Sequence, residues 1–447
     1  MRRMNTFGRT GLVAAMENEE IVSPEAAEET LIEGGAESLE TDLIEVQEEE
    51  AAASEHETLI EEAVETAEAL ESIAVAMEAA AQNGGLSKDA ANVVSLALES
   101  VYKNVGLSAP TGFALESFGQ TSSRVGATTI AMENIKEQIK KIWEKIVAAV
   151  KMAIDWLMDR VGKFFASAEK LKARAESLKE AAKNAKGTPS EASFEQQRLA
   201  SALKLGGKVN AAEGLKAVNE MLPAVFAGDE TIMQALEKAI EAGNYKEAVA
   251  TLNSEKFNGI FKTKAITDPE AKGYGKPGPG LVVSRSQEML GGVALITQMP
   301  PAAGKVSDIE LMSLVAQSKL ALGAFDPKAK DVGPALKVLS AAEMETIANE
   351  VIAMADAIKA FKDNVSKTNA ARKKAIAAME KRAKDMKDQD DKKDEIRSIQ
   401  KLASALPRLT GSLPAQFSAY GLNSGKAACD YIEISLKKYG AEKPKAE

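Results

Sequence analysis

The sequence has almost none of the residues that carry disulfide and histidine chemistry. Its 447 residues include one cysteine, Cys429, and one histidine, His56. A single cysteine excludes an intrachain disulfide framework and a zinc module built on cysteines. A single histidine excludes metal sites with several histidines, and the acidic residues around His56 argue against a histidine-dependent catalytic triad. We therefore expect no metal site in this chain.

Long hydrophobic runs and aromatic residues are also scarce. No stretch approaches the roughly 20 uninterrupted apolar residues of a membrane-spanning helix, and the apolar residues 11–16 are too few for a secretion signal. Aromatic side chains make up 4% of the chain, whereas alanine alone contributes 77 residues. Alanine, glutamate, lysine and leucine favour helices, and sheets prefer β-branched and aromatic residues. The composition predicts a mainly α-helical, soluble protein made in a reducing cytoplasm.

Charge is divided unevenly along the chain. Residues 1–133 hold 26 acidic and 6 basic side chains, a net charge of −20. Residues 134–447 hold the remaining 40 acidic and 50 basic side chains, a net charge of +10. A split of this size is typical of an acidic segment attached to a basic body, and it favours a polyanionic partner such as nucleic acid. Acidic tails are also common as merely solvated segments, so charge alone leaves both interpretations open.

The acidic segment, residues 1–133, has little hydrophobic patterning. Helical spacing of apolar residues is found at 55–81 and at 86–103, where Ser87 is suited to cap the helix. Residues 104–130 are rich in Gly, Ser, Thr and Pro, which is typical of an exposed linker. Because acidic residues outnumber large apolar ones, we expect this segment to be largely extended or disordered.

The basic body is predicted to be helical with one β insertion. Residues 134–256 open with a basic amphipathic helix at 134–165, where large apolar residues recur at steps of three and four. Residues 257–300 contain short apolar runs separated by Gly and Pro, which predicts a small antiparallel sheet or hairpin. Residues 301–447 are again helical, with one long helix at about 340–386.

Three short motifs resemble ligand-binding or metal-binding sites, but each lacks the surrounding residues that such a site requires. Residues 273–278 match G-x-G-x-x-G, yet Pro277 and Pro279 prevent the strand and helix that a dinucleotide site requires. Gly304-Lys305 lacks the rest of a phosphate-binding loop, and residues 385–394 lack the glycine and terminal glutamate of a calcium loop. No poised nucleophile or carboxylate pair is evident. We expect no cofactor and no enzymatic activity.

A three-residue pattern, Ala-Met/Leu-Glu, recurs in the acidic segment. Five copies lie in residues 1–133, and the fifth ends where the net charge changes sign. Two further copies, ending at Glu237 and Glu380, are each followed by lysine, whereas the first five are followed by small or amide residues. Helix edges and linkers are accessible to proteases, so we interpret the five copies as processing sites rather than accidental repetition. The expected cuts follow Glu17, Glu78, Glu99, Glu116 and Glu133.

These features resemble an internal head protein of a large tailed phage, of the φKZ-like or T-even-like myovirus kind. The resemblance rests on the Ala-x-Glu array, on Ala131-Met132-Glu133 followed by Asn134, and on the Lys/Ile/Trp-rich stretch Ile135–Phe165. It is strong over residues 1–165 and loose beyond. It implies a structural protein inside the capsid whose acidic propeptide, residues 1–133, is removed in the prohead by a phage-encoded serine protease that cuts after Glu. The implied partners are this prohead protease, other head or scaffold proteins and the packaged genomic DNA.

The basic residues of the body are the candidates for DNA contact. A body of net charge +10 is attracted to dense phosphate through counterion release, and no basic groove with interspersed aromatic residues indicates sequence-specific recognition. The alternative is a membrane-active or ejected virion protein that uses residues 134–165 as an interfacial helix. We expect DNA rather than membrane contact, and the candidate residues are Lys136, Lys140, Lys141, Lys145, Arg372, Lys373, Lys374, Lys381 and Arg382.

Overall fold

Helices dominate the chain. A computed structural model describes residues 60, 62–104, 115–120, 123–241, 252–301, 314–315, 317–329, 332–385, 396, 399–400, 402–403 and 412–439. The main helices in these ranges are α1 (62–82), α2 (Lys88–Asn104), α3 (Arg124–Asn184), α4 (Gln197–Ala202), α5 (Ala211–Glu241), α6 (Ser254–Ile260), α7 (Ala341–Ala360), α8 (Lys362–Asp385) and α9 (Ser412–Lys437). A short 3₁₀ helix at Leu115–Phe118 precedes α3.

Local sequence signals fix several helix ends. The Ser87 side chain accepts a hydrogen bond of 3.2 Å from the Ala90 N–H at the start of α2. Ser340 and Glu343 form a capping box at the start of α7, in which each side chain binds the other's backbone N–H. At the opposite end of α7 the chain turns at Phe361, whose ring stacks on Phe226 of α5 with 4.4 Å between ring centroids.

A small antiparallel sheet lies beside the helices. Its strands are adjacent in chain order, β4 (Lys264–Ala265), β5 (Val282–Arg285), β6 (Val293–Met299) and β7 (Lys319–Ala324). Two further antiparallel pairs are formed by β1 (Ser193–Glu195) with β8 (Ala335–Lys337), and by β2 (Lys204–Leu205) with β3 (Lys208–Val209). Gly206 and Gly207, with φ of 58° and 74°, make the two-residue turn between β2 and β3.

Helix α3 organises the core because it contacts other helices along its whole length. With 61 residues it extends for about 90 Å. Its C-terminal part packs on α7 and α9, where Leu171, Ala175 and Leu178 are fully buried. Helix α8 contacts its middle, and α5 lies against α7, α8 and α9. One continuous apolar cluster joins α1 and α2 to α9.

The mainly α architecture with a small antiparallel sheet is confirmed, but four details differ from the sequence prediction. The acidic stretch 62–104 is packed rather than largely extended: its two helices lie close to the predicted ranges 55–81 and 86–103, and they bury Leu70, Met77 and Tyr102. The predicted long helix at 340–386 is two helices, because the backbone turns at Phe361. The sheet extends beyond residue 300, to β7. Finally, α3 begins ten residues before the predicted start at 134. Residues 1–59 lie outside the described residues.

Candidate functional site

The N-terminal third of α3 is covered by the acidic helices. The indole Nε1 of Trp143 donates a hydrogen bond of 3.2 Å to the Glu71 carboxylate of α1. The Leu86 N–H, between α1 and α2, donates to the Thr128 hydroxyl of α3 at 2.9 Å. Gly85 lies so close to α3 that a Cβ there would be 2.5 Å from the Arg124 carbonyl carbon. The α1–α2 hairpin is thus docked on the helix that begins the basic region.

The face of α3 that packs against other helices is apolar, whereas helix α1 is acidic on its outer side. Between residues 134 and 155 of α3, the large apolar side chains that are at most 4% exposed are Ile135, Ile142, Trp143, Ile146, Val150 and Ile154. Over residues 134–152, where the side chains are described, no exposed apolar stripe is present, and Met152 is the one large apolar side chain that is exposed. No helix among the described residues is long and apolar enough to span a membrane.

The predicted processing sites follow a common local pattern. The central residue of the motif is buried in α1, α2 and α3, at Met77, Leu98 and Met132, while Glu99 and Glu133 are exposed and Glu78 is half-buried. The apolar residue of Ala-Met/Leu-Glu thus serves helix packing in these three copies. Glu116 lies in the short 3₁₀ helix. Glu17 lies outside the described residues.

The two copies in the body are held by ion pairs. Glu380 of α8 accepts a hydrogen bond of 2.7 Å from Lys151 of α3, and Glu237 of α5 lies 3.4 Å from Lys374. Met379, the central residue of the second copy, is fully buried. These contacts join different helices, so the two copies are parts of the packed body.

Three of the four candidate lysines of α3 are paired with carboxylates of the same helix. Lys136 lies 3.1 Å from Glu133, Lys141 lies 3.0 Å from Glu137, and Lys140 lies 3.9 Å from Glu144. The hydrogen bond from Lys141 lowers the pKa of the Glu137 carboxyl. Lys145 is exposed and has no ion pair with the residues that the structure describes. Exposed pairs of this kind contribute little to stability, and they reduce the positive charge that this surface offers to an anion.

The basic stretch of α8 differs more sharply from the sequence prediction. Arg372 is 1% exposed, and its guanidinium forms an ion pair with the buried carboxylate of Asp229 in α5 and a hydrogen bond with Asn369. It holds two helices together, so the prediction of Arg372 as a DNA contact is wrong. Lys373 forms an ion pair with Asp155 of α3. Lys374, Lys381 and Arg382 are exposed.

A second basic cluster was not evident from the sequence. Lys262, Lys264, Lys272 and Arg285 line one cleft beside the four-stranded sheet. They lie up to 23 positions apart on two turns and two strands, so no charge run marks them. The pairing of β4 with β5 brings Lys264 and Arg285 together. Among the described residues, no group of three or more His, Cys, Asp or Glu side chains is placed to hold a metal ion.

Comparison with known proteins gives one match. A model of the phiKZ-like phage internal head proteins matches residues 37–433, which is most of the chain and includes both the acidic helices and the basic body. Neither the curated proteins nor the solved structures contain a match. The chain therefore belongs to the family of phiKZ-like phage internal head proteins.

Proposed function

We propose that this protein is a structural component of the capsid interior that is made in the host cytoplasm as an acidic precursor and matured by proteolysis. The phage prohead protease removes residues 1–133, and the basic body then lies among the packaged DNA. The single observation that carries this proposal is the change of net charge from −20 to +10 at Glu133, the last of five Ala-x-Glu copies. Family membership supports the location inside the head.

Packing of the acidic helices on α3 gives the propeptide a physical role. Before DNA enters the head, the α1–α2 hairpin covers Trp143 and its apolar neighbours and places excess negative charge beside the basic helix. Removal of residues 1–133 changes the net charge from −10 to +10. Packaged DNA carries dense negative charge, and a positive body binds it by releasing condensed counterions. The cut therefore converts a chain that DNA repels into one that DNA attracts.

The packing also suggests an order for the cuts. A protease needs an extended, accessible backbone, and Ala131 and Met132 are buried in a helix of the precursor. We propose that a cut after Glu116 comes before the cut after Glu133. The first cut separates α1 and α2 from α3, so that the first turns of α3 can unfold locally and expose the bond between Glu133 and Asn134.

Other head proteins are the proposed partners of the precursor. Val75 of α1, and Val93 and Leu96 of α2, are at least 55% exposed although they are large and apolar. Exposed apolar side chains on an acidic surface are suited to contacts with other scaffold or head proteins during assembly. These contacts would be lost with the propeptide.

DNA binding by precursor and product tests the charge change. We compare the full-length precursor with residues 134–447 isolated from mature heads, by anisotropy of a short labelled duplex. The product is expected to bind without sequence preference, with a log–log salt slope of about −0.9 for each phosphate contact. The precursor is expected to bind much more weakly. Equal affinity of the two, or binding that ignores salt between about 50 and 200 mM, would contradict the proposal.

A further inference from the structure

The cleft beside the four-stranded sheet carries positive charge with no carboxylate in its lining. Its volume is about 380 Å³, and four of its nine lining residues are basic: Lys262, Lys264, Lys272 and Arg285. Its other polar lining residues are Ser286 and Gln287, and the Gln287 amide donates to Glu220 at 3.1 Å. This volume lies within the range of about 300–1,000 Å³ that is typical of small-ligand sites.

Strand pairing forces two of these charges together. Lys264 of β4 and Arg285 of β5 are direct partners in the antiparallel register, so their side chains lie on the same face of the sheet. Like charges directly opposite each other destabilise a strand pair. An anion bound between them would replace this repulsion with attraction. The register itself therefore points to a negatively charged ligand.

Arg285 is held in place by aromatic neighbours. Its Nη1 donates to the Tyr274 hydroxyl at 2.7 Å and to the Phe325 carbonyl oxygen, and its Cζ lies 3.9 Å from the centroid of the Phe325 ring. Stacking on a ring fixes the plane of a guanidinium. No hydrogen bond joins its Nε or Nη2 to a described residue. These donors are available for a phosphate oxygen, the acceptor that guanidinium groups match best.

Lys262 occupies a backbone position where lysine is unusual. It follows the C-cap residue of α6 with φ of 52°, in the left-handed region, and the next N–H, that of Thr263, returns to the Asn258 carbonyl oxygen at 3.1 Å. Glycine is the usual residue at this position of a helix end. A lysine here places a charge at the rim of the cleft despite the backbone strain.

Several lysines of α3 and α8 are paired with carboxylates, whereas the three lysines of this cleft are not paired with any described carboxylate. Lys136, Lys141, Lys151 and Lys373 each have a carboxylate partner. Within the described part of the chain, Lys262, Lys264 and Lys272 have no ion pair. We propose that this cleft is a phosphate-binding site that holds the backbone of packaged nucleic acid. The inference rests on the proposed DNA-facing role of the body and deepens it, since it names where the backbone is bound.

Two variants with the same charge change test the site in the processed body, residues 134–447, isolated from heads assembled with each variant. The site variant carries Lys262→Gln, Lys264→Gln and Lys272→Gln. The control variant carries Lys186→Gln, Lys208→Gln and Lys216→Gln, three exposed lysines outside the cleft. Circular dichroism checks that both keep the helical fold. Binding of a short labelled duplex is measured from about 50 to 200 mM salt, and inorganic tripolyphosphate binding is measured by calorimetry.

The proposal predicts a difference between two proteins of equal net charge. Loss of three phosphate contacts lowers the magnitude of the log–log salt slope by about 2.7 in the site variant. The control variant should keep the slope of the unmodified chain. Equal slopes in the two variants would contradict the phosphate-binding cleft, but they would not contradict DNA binding by the rest of the body. If the unmodified body 134–447 binds no duplex at the lowest salt, the DNA role fails as well. If only tripolyphosphate binds the cleft, the nucleic-acid ligand is overturned.

Discussion

The free energy of unfolding of an Arg372→Met variant shows whether Arg372 has a structural role. The sequence alone suggests a contact with DNA instead. Methionine resembles the unbranched aliphatic part of arginine but lacks the guanidinium charge that faces Asp229. Removal of one partner from a buried ion pair costs about 3–5 kcal/mol, because the other charge is left buried without compensation. Substitution of an exposed arginine would change the free energy of unfolding by less than about 0.5 kcal/mol. Arg372 is 1% exposed, so we expect Arg372→Met to lower the free energy of unfolding by about 3–5 kcal/mol.

The pH dependence of this loss gives a second, independent check. Burial raises the pKa of the Asp229 carboxyl to about 6, while the Arg372 charge acts in the opposite direction. Because this pKa lies above the value of 3.8 for a free carboxyl, the folded state binds more protons and the contribution of Asp229 to stability falls as pH rises from about 4 to above 6. Without Arg372 the pKa rises further. The loss caused by Arg372→Met should therefore be larger at high pH than at low pH.

Urea unfolding followed by circular dichroism measures both effects. The double variant Asp229→Asn with Arg372→Met should recover much of the lost stability, since no uncompensated charge remains. Exposed Lys381→Met on the same helix serves as the control and should change stability by less than about 0.5 kcal/mol. A loss below about 1 kcal/mol for Arg372→Met, or a loss that does not vary with pH, would refute the buried pair.

Three further predictions concern the acidic helices. In a Trp156→Phe chain, emission from Trp143, which is 4% exposed, should shift to longer wavelength when residues 1–133 are removed, and an unchanged spectrum would show that the hairpin does not cover it. Gly85→Ala should destabilise the hairpin by about 1–3 kcal/mol more than Gly84→Ala in thermal unfolding, because both have positive φ but only Gly85 contacts α3 closely. Glu116→Gln should delay the cut after Glu133 in time courses of head maturation; unchanged timing would contradict the proposed order.

The helices could be predicted from local signals, but the start of α3 could not. Apolar spacing located most of α3, and Ser87 marked the start of α2. Residues 124–130 resemble a linker in composition, yet they form the first two turns of α3, where the Thr128 hydroxyl accepts a hydrogen bond from the Leu86 N–H. This contact spans 42 positions. A local pattern carries no information about a partner that distant.

The basic residues show the same limit. The run from Arg372 to Lys374 resembles a solvated charged face, yet Arg372 turns towards Asp229, which lies 143 positions earlier. Conversely, Lys262, Lys264, Lys272 and Arg285 share no run, and only the register of two short strands brings them to one cleft. Net charge predicted an anionic partner. The fold determines which basic side chains are exposed to an anionic partner.

The N-terminal residue of the chain in mature heads tests the central claim most directly. Intact-mass analysis and N-terminal peptide mapping of purified virions identify it, with proheads as the precursor control. The account predicts Asn134 as the mature terminus, and few peptides from residues 20–120 compared with proheads. A mature chain that keeps the α1–α2 hairpin, with peptides from residues 62–104 as abundant as those of the body, would contradict it.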